Sequence, residues 1–111
     1  MRLLLVCAGM LALGAGTAAA QDAVARGKKV YADTRCAMCH SIGGVGNPKG
    51  PLDGVGSRLT ADEIRLWHTD PKTMAEKTKS TRKPPMPSYA TKLSKQDLDA
   101  VVAYMQSLQK K

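Results

Sequence analysis

Cys36-Ala37-Met38-Cys39-His40 is the stretch of this chain whose residue types and spacing can do chemistry. Two thiols three positions apart can each add across one vinyl group of a haem, giving two thioether bonds. The adjacent His40 is then held beneath the iron as an axial ligand. A dithiol redox motif shares this spacing of cysteines but requires a βαβ context, of which the sequence shows no sign. Structural zinc sites normally take four ligands, and beyond residue 20 the chain offers two Cys and two His. The expected cofactor is therefore one haem c, covalent through Cys36 and Cys39.

The group on the other face of the iron decides what such a haem does. An open face binds small molecules, whereas a second side chain makes the iron an electron carrier. Met38, Met74, Met86, Met105 and His68 are the candidates. Met38 lies within the attachment turn and cannot reach the far face. Met105 belongs to an apolar helical stripe, where a Met is usually core filler. Met74 falls in a short helix and reads as packing, and His68, near a helix end, reads as a surface or capping residue. Met86 stands among Pro84, Pro85 and Pro87, which restrict the backbone and reduce the entropy lost when a sulfur is held against iron. Ligation also gives this long loop a reason to be ordered. Met86 is thus the expected sixth ligand, with His68 as its competitor. Thioether ligation favours ferrous iron and raises the potential above that of a bis-His haem.

The elements that must position these residues are helical. Ala23, Val24, Gly27, Val30 and Tyr31 share one face ahead of the motif, and Leu98, Val101, Val102, Met105 and Leu108 form a second stripe. Ser94 is the N-cap of that last helix, with Asp97 three residues on and Leu93 placed to staple against Leu98. Thr60 and Glu63 form a capping box for another helix, which ends near Asp70 because Pro71 disfavours helix before it. Asp70 then caps a short helix from Pro71 to about Lys79. Residues 41–58 and 80–92 are rich in Gly and Pro, respectively, and nothing alternates with period two. The expectation is an all-α fold of three to four helices and loops with almost no sheet. Phe is absent, so so small a chain has a thin core, and a buried porphyrin supplies the missing apolar centre. The apoprotein is expected to fold poorly.

Residues 1–20 read as a secretory signal peptide, with Arg2, an apolar run from Leu3 to Leu13 and small residues at Ala18-Ala19-Ala20. The competing reading is a retained membrane anchor, for which the run is barely long enough. Cys7 falls inside this leader and reads as one of its small apolar residues. Residues 21–111 then form one domain, exported to the periplasm without stable membrane insertion. The whole chain carries 17 Lys and Arg against 9 acidic residues, a net charge of +8. Loss of Arg2 with the leader leaves +7, so acidic partner proteins fit; nucleic acid, the other reading of a basic chain, is set aside because an exported haem protein rarely meets it.

Together these residues resemble class I c-type cytochromes over nearly all of residues 21–111. The likeness is carried by Gly27 with Tyr31, the Cys36–His40 motif, Gly50-Pro51-Leu52, Met86-Pro87-Ser88-Tyr89 and Val101-Val102-Ala103-Tyr104. The resemblance implies a cytochrome c-like fold in which the first and last helices cross closely at Gly27 against Tyr104. It implies that the Pro51 carbonyl accepts a hydrogen bond from the His40 ring, an anchor that fixes a ligand's orientation. Here the usual Gly-Pro-x-Leu spacing is one residue shorter. Arg58 and Trp67 fall where the family places partners for the haem propionates. The implied function is a periplasmic monohaem carrier passing single electrons to a reductase, dehydrogenase or terminal oxidase, with Lys49, Lys72, Lys77, Lys79, Lys83 and Lys92 steering acidic partners. It is expected to be a monomer or a subunit of a dehydrogenase complex, and not an enzyme. The rival readings are a dedicated cytochrome subunit of a dehydrogenase, such as one oxidising sulfite or an alcohol, and a small-ligand-binding haem protein.

Overall fold

The computed structural model describes residues 15–111. Of the proposed leader, Arg2, Cys7 and the run from Leu3 to Leu13 lie outside the described residues. Five α-helices follow one another: α1 (Ala15–Asp33), α2 (Val55–Arg58), α3 (Ala61–Thr69), α4 (Pro71–Thr78) and α5 (Lys95–Ser107). A 3-10 turn, Cys36–Met38, carries the attachment motif. Among the described residues the fold is all-α, with one antiparallel hairpin of two-residue strands, β1 (Ser41–Ile42) and β2 (Val45–Gly46), beyond the sequence expectation. Its turn residues Gly43 and Gly44 both have positive φ, which suits a tight reversal. A strand of two residues leaves no periodic trace.

Local chemistry starts the helices. The Thr60 hydroxyl accepts from Glu63 N at 3.2 Å while the Glu63 carboxylate accepts from Thr60 N at 3.1 Å, a complete capping box on α3. Ser94 accepts from Asp97 N at 3.1 Å at the start of α5. Asp70 both ends α3 and caps α4, which opens on Pro71. Asp97 does not turn back to its own cap. Its carboxylate pairs with Arg26 of α1 at 2.8 Å, and Asp99 pairs with Arg65 of α3 at 2.7 Å. Both pairs are partly exposed and contribute little, about 0–1 kcal/mol each.

Packing of α1 on α5 is the largest helix–helix contact, with α3 also against α5. Gly27 is buried at the crossing, where an added Cβ would overlap the Ala100 carbonyl and the Tyr104 Cβ. The Tyr31 and Tyr104 rings meet edge-to-face with centroids 5.8 Å apart. Ala is the better helix former, yet Gly27→Ala should destabilise the holoprotein by about 1–3 kcal/mol through forced separation of the helices. A denaturant midpoint that stays put or rises would contradict this close approach.

Val55, Ile64, Val102, Tyr104 and Met105 form the buried core, with Leu52, Leu59, Leu98 and Leu108 packed against it. This core is a shell, because Val55, Ile64, Val101 and Met105 also face a large cavity. No helix among the described residues is long and apolar enough to cross a membrane.

Candidate haem site

The cavity has a volume of about 390 Å³, within the usual range for small-molecule and cofactor sites. Cys36, Cys39, His40, Met86, Arg58 and Trp67 all line it. Pro51 does not.

Arg35 takes a left-handed conformation that reverses the chain after α1 and starts the motif turn. Within that turn Cys39 N and His40 N both donate to the Cys36 carbonyl, at 3.1 and 2.9 Å. Both thiols are free and half-buried on the cavity wall. Burial pushes the Cys36 thiol up to about 11, and Cys39 adds to the shift. Redox-active dithiols owe their reactivity to a lowered thiol pKa, so this environment is the reverse of a dithiol exchange site.

His40 Nδ1 lies 3.0 Å from the Gly50 carbonyl. A carbonyl only accepts, so Nδ1 carries the proton. Burial lowers the His40 pKa first of all, against the raising effect of the Gly50 bond, which favours the neutral ring. A neutral ring protonated at Nδ1 leaves the Nε2 lone pair free for a metal. The acceptor is Gly50 and not Pro51, a correction to the family-based expectation. The short Gly50-Pro51-Leu52 spacing explains it: Ser41 N donates to Gly50 O at 3.0 Å and Leu52 N to Ser41 O at 2.8 Å. That ladder fixes the register one residue earlier and leaves Pro51 exposed.

Met86 sits half-buried in a segment tied down on both sides. Tyr89 N donates to the His68 carbonyl at 2.7 Å, and the Ser88 hydroxyl to the Thr69 carbonyl at 3.2 Å. The carbonyls left over at the end of α3 thus hold the loop. On the other side Arg82 donates from Nη1 to the Lys49 carbonyl at 2.9 Å and from Nη2 to the Cys39 carbonyl.

Among the other candidates, Met74 is buried away from the cavity, Met105 is buried on its wall and Met38 is 69% exposed. His68 departs from its reading as a surface residue. It is buried, lines the cavity and has Nδ1 2.8 Å from the Ile64 carbonyl, because α3 turns the face bearing Ile64 and His68 inward. Arg58 donates from Nη1 to the Asp53 carbonyl at 2.9 Å. Sequence reasoning missed Arg82 altogether, and it missed Tyr31 as a wall residue, having read it as packing.

Tyr31 also tests whether the cavity fits a prosthetic group. Among the described residues its hydroxyl is the one buried side-chain polar atom without a hydrogen-bond partner, and the Tyr31 side chain lines the cavity. Such an orphan calls for an explanation, and a bound group supplies one. Burial raises its pKa to about 12, so it stays a neutral donor. Apolar walls, two thiols, an imidazole oriented by its neighbour and an unpartnered hydroxyl fit a haem.

An all-helical shell around a cavity bearing Cys-x-x-Cys-His defines a c-type haem protein. The chain belongs to the cytochrome c family, whose model, described as Cytochrome c, matches residues 24–109. The cofactor is haem c, covalent at Cys36 and Cys39, and the family's chemistry is haem-based electron transfer. Among curated proteins it is similar to a cytochrome c oxidase subunit 2 of Alkalihalophilus pseudofirmus, with 27% identity over 92 residues. That match covers 75% of this chain, which spans a quarter of the relative's length. No solved structure gives a significant match.

Proposed function

We propose that this chain is a monohaem electron carrier of the periplasm, working between acidic redox proteins. One observation carries the reading: Cys36, Cys39 and His40 from one loop and Met86 from another line the same apolar cavity. When bound, the haem supplies a one-electron ferric/ferrous couple. His40 would hold the iron through Nε2, its ring set by the Gly50 carbonyl. Met86 would hold it through its sulfur, a donor that favours the ferrous state. With both faces taken, the protein carries electrons and performs no catalysis at the iron. Apolar walls exclude water and limit the reorganisation that accompanies a change of charge. Arg58 would offset the charge of the propionates and Trp67 would offer them its indole N–H, both lining the cavity.

Export rests on the leader-like residues 1–20, removed after Ala20 to leave 21–111 as the working domain. Lys49, Lys72, Lys77, Lys79, Lys83 and Lys92 are all exposed, and the domain left after loss of Arg2 with the leader carries 16 basic against 9 acidic residues, a net charge of +7. An acidic partner fits this surface, and the likeness to an oxidase subunit favours a terminal oxidase as acceptor.

Stopped-flow reduction of the holoprotein by an acidic electron donor tests the proposal. The second-order rate should fall at least about tenfold as ionic strength rises from about 0.01 to 0.15 M, where the screening length shrinks from roughly 30 to 8 Å. A rate indifferent to salt would remove acidic partners from the account, and no reduction at all would remove the carrier.

A further inference from the structure

We infer that Arg82 is a positioning residue that straps the Met86 loop to the peptides around His40, holding both axial ligands in one frame. The inference rests on reading His40 and Met86 as those ligands. Arg82 stands four residues before Met86 and lines the cavity. Its guanidinium donates to two carbonyls from distant parts of the chain, Lys49 and Cys39. The Cys39 carbonyl belongs to the peptide that carries His40 N. The Lys49 carbonyl belongs to the peptide that leads into Gly50, whose own carbonyl accepts from the His40 ring. One planar fork therefore grips the chain on both sides of the imidazole's anchor, a geometry that suits Arg and not Lys.

Gly50 supports the assignment independently. It is buried, and a Cβ built there would overlap the Arg82 guanidinium and the Cys39 carbonyl. Its φ is not positive, so close approach and not backbone strain is what a side chain would violate here. The guanidinium hydrogen-bonds the peptide that carries His40 N, which places its charge close to the ligand-bearing residue.

Two consequences follow. The α3 carbonyls tether the loop after Met86, and Arg82 tethers it before. Without Arg82 the sulfur leaves the iron more readily, and an outside ligand competes better, because its apparent affinity scales with the fraction of sites whose sixth position is free. The fixed positive charge also favours the ferrous state, so its removal lowers the potential.

Imidazole is titrated into the ferric holoprotein of wild type, Arg82→Gln, Arg82→Lys and Arg65→Gln, and the reduction potential of each is measured. Arg65→Gln breaks a surface pair with Asp99 away from the site and serves as the control for lost stability. Arg82→Gln should bind imidazole at least about tenfold more tightly, the equivalent of about 1.4 kcal/mol, and its potential should drop. Arg82→Lys keeps the charge and loses the fork, so its potential should stay near wild type while imidazole still binds more tightly. Wild-type affinity in both Arg82 variants, or an equal gain in Arg65→Gln, would overturn the strap. If Arg82→Gln does not fold, Arg82→Lys decides alone by its affinity. The sulfur-to-iron charge-transfer band of the wild type reports the ligand reading separately: its absence there would sink that reading whatever the Arg82 variants do.

Discussion

Met86→Ala removes the sulfur-to-iron charge-transfer band from the oxidised holoprotein and lowers its reduction potential by a sizeable part of the roughly 0.8 V that axial ligands span. Position and softness both single out Met86. Among the described residues Met105 and His68 also reach the cavity wall, but each is already committed. Met105 is buried in the core beside Val102 and Tyr104, and His68 has one ring nitrogen at the Ile64 carbonyl with the Met86 loop hung from its own carbonyl. Met86 alone sits in a loop with no core role, anchored before and after. A thioether stabilises ferrous iron, so its loss favours ferric and the potential falls. Near-infrared spectroscopy with a redox titration checks both effects. Survival of the band would transfer the role to Met105, and a bis-His spectrum in wild type would transfer it to His68.

Cys36→Ala combined with Cys39→Ala should leave a chain without cooperative tertiary structure. The cavity of about 390 Å³ is as large as the core that surrounds it is thin. At about 24 cal/mol per Å³, an emptied cavity of that size would cost at most roughly 9 kcal/mol. Domains of this kind have about 5–15 kcal/mol in hand, so the loss is comparable to the whole stability. Water entry and collapse reduce that figure and convert it into loss of fixed packing. Circular dichroism during a thermal melt reads the outcome: weak helicity and a broad transition. A sharp melt with full helicity and no retained haem would mean that the helices hold themselves up.

How much of this was legible in the sequence depended on distance along the chain. The capping box at Thr60 and Glu63, the Ser94 cap and the Asp70–Pro71 junction are all settled within four residues, and each forms as read. The stripes on α1 and α5 were legible because burial repeats with the helical period. The Cys36–His40 motif and the proline-framed Met86 could be singled out because their chemistry is local too, and the structure brings them to one cavity. Illegible features were set by contacts across the fold. Arg82 finds Lys49 and Cys39 over separations of 33 and 43 residues, and nothing near it in sequence marks an Arg with two backbone partners. His68 is buried because α3 faces a cavity, which no helical pattern of nine residues reveals. The shift of the imidazole's acceptor from Pro51 to Gly50 is one residue of register, decided by the bridge to Ser41. The shortened Gly50-Pro51-Leu52 spacing was the signal available.

A visible and near-infrared spectrum of the purified holoprotein, taken oxidised and reduced and repeated after extraction with acidified organic solvent, tests the central claim most directly. The account predicts a low-spin haem in both states, a sulfur-to-iron band in the oxidised one, and colour that stays with the polypeptide through extraction. A haem that leaves with the solvent, or an oxidised spectrum lacking the sulfur band, would contradict it.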